Sequence, residues 1–280
     1  MDEFDKMPIA EMVAVTVLAA FFILVAFSFF FGIVYLQAEF VFAKTFKRPF
    51  YVHFYPLRKK ISPEIQFRLR QYSPFYVKLS DRHKAFFEHR IHRFLEKYEF
   101  SGREDFEVTE EVKVRIASVY VMMSFGMRNY LTPIFERIVI YPKVYLSSIT
   151  DQYHKGEFNP YMKAVVFSWE DFVAGNDIAN DNLNLGIHEF GHILHHHGKM
   201  GNDVSAVIFM ETYDRILEEI AHPPNRQKLL DSGYFRDYAY TNQFEFLAVI
   251  LENYFETPYE FKSNFPVLYS HVSKMLNHRH

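Results

Sequence analysis

A chain of 280 residues, 49% hydrophobic and 19% aromatic, has room for one membrane segment and one packed soluble domain of roughly 200 residues or more. It contains no cysteine, which excludes disulfides and thiolate metal sites, so any zinc must sit on histidine and carboxylate. The formal net charge of −3 offers no electrostatic basis for nucleic-acid binding, and no nucleic-acid partner is expected.

The first residues, 1–11, are acidic (MDEFDKMPIAE) and read as a short extracytoplasmic amino terminus. Residues 12–38 carry no charge (MVAVTVLAAFFILVAFSFFFGIVYLQA) and are numerous enough to cross a bilayer with some tilt. A cleaved signal peptide is the rival, but the acidic start and the length of the apolar run disfavour it. Only Lys6 precedes the run, whereas Lys44, Lys47, Arg48, Arg58, Lys59 and Lys60 follow it. The positive-inside rule then predicts a single-pass protein of the inner (cytoplasmic) membrane, with the C-terminal domain in the cytoplasm. Residues 39–61, basic and aromatic, read as a juxtamembrane linker lying against anionic headgroups, with the soluble domain at 62–280.

Within that domain, Ser62-Pro63-Glu64 predicts an N-cap followed by proline at the first helical position. Ser80-Asp81 opens a second helix, DRHKAFFEHRIHRFLEKYEF, whose Phe86, Phe87, Ile91, Phe94 and Leu95 recur at helical spacing. His83, His89 and His92 sit among its charged residues, which predicts a solvated face. After the Ser101-Gly102 break, Thr109 caps a third helix running to about Phe125. The period then changes: RIVIYPKVYL (137–146) and KAVVFSW (163–169) are short, β-branched and aromatic, which predicts strands around a polar loop. A short helix from Ser168-Trp169 to near Gly175, the helix discussed next, and helices at about 203–220, 241–255 and from 258 complete an α+β domain, mainly helical with a small sheet.

Residues 183–199 read LNLGIHEFGHILHHHGK. On a helix, His188 and His192 share a face one turn apart and can point at one ion, with Glu189 beside it. In this H-E-x-x-H arrangement neutral imidazoles hold Zn²⁺, and the carboxylate takes a proton from the water that the metal activates. The pattern has only three fixed letters, and a helix with two satisfied histidines would match it too. The apolar residues around it (Leu183, Leu185, Ile187, Phe190, Ile193, Leu194) favour burial, which histidine and glutamate tolerate only when paired or metal-bound. Asn180 or Asp181 can cap this helix and Gly198 can stop it. His196 lies about 12 Å along the helix from His188, too far to share an ion easily, and His195, His196 and His197 are expected on the solvated side or the rim.

A catalytic zinc needs a third protein ligand. In YAYTNQFEFLAVILENYFE (238–256), Glu245 and Glu252 fall on one helix face between apolar residues, and both are candidates for burial with a partner. Glu245 also fits a capping pattern with Asn242, and Glu252 can be read as an ordinary exposed glutamate.

HEFGH, preceded by AVVFSWEDF and followed by FEFLAVILENYF, resembles the Mlc titration factor A family of zinc-dependent peptidases, and RIVIYP and the helices at 62–97 fit as well. The resemblance covers roughly residues 60–270, and YAYTNQFEF also looks like the catalytic-centre segment of anthrax lethal factor, to which that family is related. It implies a zincin-like metallopeptidase domain with Zn²⁺ on His188, His192 and Glu245, and Glu189 as general base. It further implies Tyr238 as an oxyanion donor and Glu252 as a residue that orients a ligand histidine. Position 195 departs from the family, which usually continues Lys-Leu-Asp after the second histidine where this chain has Ile193-Leu194-His195. The better-known members are soluble, so the membrane segment is an addition.

The expected activity is peptide-bond hydrolysis on a peptide or protein substrate, with the amino end as a preferred site of attack, and KAVVFSW as the cleft-edge strand along which a substrate could pair. A different class of function also follows from the resemblance. The founding member sequesters a transcriptional repressor, so a regulatory protein partner held at the bilayer, with weak or no cleavage, is the alternative.

Overall fold

The structure is a computed structural model that describes residues 8–147, 150–178 and 180–278; most of the expected extracytoplasmic stretch 1–11 therefore lies outside the described residues. The first helix, α1 (Ile9–Phe46), is a candidate membrane span, exposed along its whole apolar length and ended by Lys47 in the left-handed region at φ 51°. It outruns the uncharged segment, so the first turns of the expected linker are helical. There the helix docks on the domain. Glu39 pairs with Arg128, Lys47 pairs with Glu211, and Ala43 packs on Val204 and Ile208.

Four helices follow: α2 (Pro63–Tyr72), α3 (Pro74–Lys78), α4 (Asp81–Lys97) and α5 (Glu110–Met123). Ser62, Ser80 and Thr109 cap α2, α4 and α5 by accepting from the amides of Ile65, His83 and Val112. One expectation on α4 fails. His89 is buried rather than solvated, its Nδ1 accepting from the Lys59 amide at 3.0 Å, because the returning chain at 50–60 covers that face.

The sheet is built from β1 (Glu99–Gly102), β2 (Arg137–Tyr141), β5 (Gly156–Asn159) and β6 (Ala164–Ser168), with a separate ribbon of β3 (Tyr145–Leu146) and β4 (Tyr153–His154). Its order is β1-β2-β6-β5; the first three strands are parallel and β5 is antiparallel to β6. This corrects two expectations. The stretch read as a polar loop contains strands, and KAVVFSW lies inside the sheet, with β5 as the edge strand beside it. The sequence GEFN is too short and too polar to show strand alternation, and only pairing with β6 makes it a strand.

Behind the sheet come α6 (Trp169–Asp177), α7 (Leu185–Met200), α8 (Val204–Ala221) and α9 (Pro223–Ser232). A 3-10 turn (Asp237–Tyr240) and α10 (Gln243–Glu256), α11 (Pro258–Asn264) and α12 (Pro266–Met275) complete the domain. The single last helix expected from 258 breaks at Phe265-Pro266, since proline lacks the amide and pushes the residue before it out of the helical region. Phe190, from inside HEFGH, sits in the aromatic core with Tyr120, Phe135 and Phe167, which holds α7 against the sheet.

Candidate metal centre

Helix α7 begins one turn later than the sequence suggests. Its cap is Asn184, whose side chain accepts from the Ile187 amide and donates to the Gly175 carbonyl and to Glu256. It also runs through Gly198 to Met200, because α8 crosses at Gly198, where an added Cβ would press on Phe209 and Met210 at 3.0 Å. A second glycine sets the centre itself. At Gly191 an added Cβ would lie 3.1 Å from Leu251 and 3.6 Å from the Cα of Ala248, so α10 crosses α7 closely beside His188 and His192.

That crossing brings His188, His192 and Glu245 together, with one ligand atom from each within 4.8 Å of the others. The imidazole of His188 is clamped between two carboxylates of α10. Its Nε2 lies 3.0 Å from Glu245 Oε2 and its Nδ1 lies 2.7 Å from Glu252 Oε1. His192 Nε2 is 3.7 Å from Glu245 Oε1. The capping reading of Glu245 fails in an informative way: Asn242 alone caps α10, accepting from Phe244 and Glu245 amides, and the glutamate side chain is free to reach the histidines.

Glu252 is fully buried, and Arg236 meets it with two hydrogen bonds of 2.6 and 2.8 Å while also donating to the Asn182 carbonyl. A carboxylate accepting from Nδ1 leaves Nε2 of His188, which faces Glu245, as the nitrogen that could take a metal in exchange for its proton. Sequence reasoning missed Arg236, Asn184 and Glu256. A lone arginine and an asparagine on separate loops carry no periodic signal, and only the fold shows what they face.

Electrostatics follow from this packing. Burial pulls the His188 imidazole down, yet contact with Glu245 and then Glu252 outweighs it and raises its pKa to about 10, so the position favours a positive charge. His192, half-buried and beside a charged His188, is pushed down to about 4 and stays neutral. Burial would raise Glu245, but His188 and His192 hold it below the usual carboxylate range. Glu189, next to His188 on α7, is buried against β5 near the same cluster, and desolvation pushes it up to about 7. Strand β5 approaches so closely that a Cβ at Gly156 would meet Glu189 Oε1 at 2.8 Å.

The residues present fit a zinc ion. Two imidazoles and one carboxylate are the donor set that Zn²⁺ takes with an open position remaining. Glu245 Oε2 is a buried oxygen without an aligned hydrogen-bond donor, despite the nearby His188 nitrogen. Tyr238, on the 3-10 turn, is half exposed with its ring 6.0 Å from that of His188; burial and the charge of Glu245 push its phenol up to about 12, so it remains a proton donor.

The histidines after the motif differ from expectation. His195 and His197 are buried and His196 is half-buried against Phe158. His197 sits 2.9 Å from both Thr132 Oγ1 and Asp203 Oδ2, while His195 packs on Tyr213 and Phe244. Helix α8 and its loop cover this side of α7, which the sequence of α7 alone could not reveal.

A histidine-rich helix under an antiparallel edge strand, met by a glutamate from a second helix, is the arrangement of a metallopeptidase. The chain belongs to the Mlc titration factor A family, the glucose-regulated metallo-peptidases M90, whose family model matches residues 54–276. It is also similar to an uncharacterized protein of Synechocystis sp., 26% identical over 241 residues, covering 78% of this chain and 84% of that one. Membership assigns metallopeptidase chemistry and a metal cofactor, typically zinc.

Proposed function

We propose that the protein is a membrane-tethered zinc peptidase that holds Zn²⁺ on His188, His192 and Glu245 and hydrolyses peptide bonds with Glu189 as general base. The observation that carries this reading is the meeting of α7 and α10, which converges two imidazole nitrogens and a carboxylate on one point with a buried carboxyl alongside. When bound, zinc supplies Lewis-acid polarisation and lowers the pKa of water. Glu189 takes the proton from the attacking water and passes it to the leaving amine, a task suited to a carboxyl whose burial has brought its pKa near neutrality. Tyr238 donates a hydrogen bond to the developing tetrahedral oxygen. Glu252, held by Arg236, fixes the ring of His188. The substrate backbone pairs with the free edge of β5, the strand that lies against Glu189.

The span α1 and the lysines and arginines after it support a single-pass protein whose domain faces the cytoplasm. Glu189→Gln tests the chemistry. It should keep stoichiometric zinc and lose peptide hydrolysis by several orders of magnitude, whereas a protein that only captures a regulator would keep its capture unchanged. Undiminished hydrolysis by Glu189→Gln would remove the assigned base.

A further inference from the structure

The chain does not leave the membrane helix as a free linker. It turns at Lys47 and comes back. Phe50 packs its ring 4.6 Å from Phe42 and 5.8 Å from Tyr35, so it stands beside α1 well before the helix end. Tyr51 follows, its ring under the Arg128 guanidinium at 5.0 Å, next to the Glu39–Arg128 pair, and Phe54 lies 5.9 Å from Tyr51.

The level of these rings follows from helix length. From Met12 to Tyr35 the helix rises about 35 Å, slightly more than the roughly 30 Å of bilayer hydrocarbon. Tyr35 therefore falls at the membrane–water boundary, and Phe50, where the chain returns, falls there with it. Inward contacts fix which side chains face out. His53 stacks on Phe86 at 4.7 Å and the Tyr55 ring lies 4.2 Å from that of His89, while Phe54 and Leu57 remain 69% and 86% exposed. Arg48, Arg58, Lys59 and Lys60 are exposed around them. An apolar groove lined by Val34, Ala38, Val41, Phe42 and Phe50 joins this segment to the lipid-facing surface of α1.

We infer that residues 48–60 form a second membrane contact, an aromatic and basic collar that seats in the anionic headgroup layer of the bilayer crossed by α1. Aromatic rings at the boundary and cations just outside it match the chemistry of an anionic phospholipid surface. Two contacts, one spanning and one lying on the surface, hold the peptidase domain in a set pose. Because α1 also docks on α8, which directly follows the histidine helix, that pose fixes the height of the cleft above the lipid. The inference rests on α1 spanning the membrane, so the test includes a marker for the span itself.

The natural chain lacks cysteine, so single cysteines in the full-length protein can carry a nitroxide without background labelling. Leu24→Cys, Phe54→Cys and Tyr259→Cys would be placed in nanodiscs of neutral or of partly anionic phospholipid, and depth read from collisions with oxygen and with a water-soluble nickel chelate. Deep burial at 24, a headgroup-level position at 54 with nickel access several-fold below that at 259, and an aqueous 259 are expected. An aqueous 54 with a deep 24 would overturn the collar alone; an aqueous 24 would overturn the span and the collar together. Shielding at 54 found only in discs holding two protein copies would assign the face to a dimer instead. Arg58→Gln with Lys59→Gln and Lys60→Gln should move the label at 54 toward water in anionic discs and leave it unmoved in neutral ones. Indifference to both lipid charge and these substitutions would overturn the anionic-lipid assignment.

Discussion

Glu252→Gln isolates the hydrogen bond through which α10 acts on His188 Nδ1. The wild-type carboxylate is fully buried and accepts from His188 Nδ1 at 2.7 Å and from Arg236 at 2.6 and 2.8 Å. The amide keeps the shape and one acceptor oxygen but loses the charge, so His188 becomes a poorer donor and its ring is held less firmly. Loss of such an orienting carboxylate typically weakens metal affinity about 10–100-fold, or roughly 1.4–2.7 kcal/mol. The cost to the apo fold should be smaller than for Arg236→Gln. Arg236 is 28% exposed and can turn to water, whereas removing it leaves the buried carboxylate with His188 as its remaining partner, at a cost of up to about 3 kcal/mol. Zinc affinity would be measured by competition with a chelating dye, and apo stability by thermal melting of the same samples. A zinc affinity in Glu252→Gln within twofold of wild type would refute the view that this carboxylate organises the centre.

Glu245→Gln should retain the fold but lose most of its zinc after dialysis, measured by elemental analysis of the purified full-length protein; full retention would mean that the third ligand lies elsewhere. Glu256 offers a pH test away from the ligands. Burial pushes its carboxyl up to about 7 while Asn184 partly offsets this, so the neutral form is favoured in the fold. Its contribution is complete below the unfolded carboxylate value near pH 4.5 and is lost as pH rises through about 7. Glu256→Gln should therefore melt close to wild type at pH 5 and above it at pH 8, by on the order of 1–2 kcal/mol once solvent screening at this partly exposed group is allowed for. Equal melting differences at both pH values would contradict the assigned cause.

Much of the domain is written locally. Ser62, Ser80 and Thr109 start their helices because a side-chain oxygen next to the first turn can satisfy an orphan amide, whatever surrounds it. The strands RIVIY and AVVFS are legible because their side chains suit a pleated, buried surface. The i, i+4 spacing likewise puts His188 and His192 on one face before any tertiary contact exists. The strand GEFN is not legible in this way, nor is α9, since neither has a periodic apolar face of its own.

By itself, then, the sequence determined most of the helices, the strands RIVIY and AVVFS, the apolar run and the placing of His188 and His192 on one helix face, all of which depend on neighbours within a few residues. Only the tertiary structure decided which strand is the edge, that His89, His195 and His197 are buried, and that Arg236 faces Glu252. It also decided that Glu245 turns toward the histidines rather than back to its own helix start. The turn of Glu245 depends on where α10 crosses α7 at Gly191, and the other outcomes on pairings of the same kind, close approaches between segments far apart in the chain that no local pattern encodes.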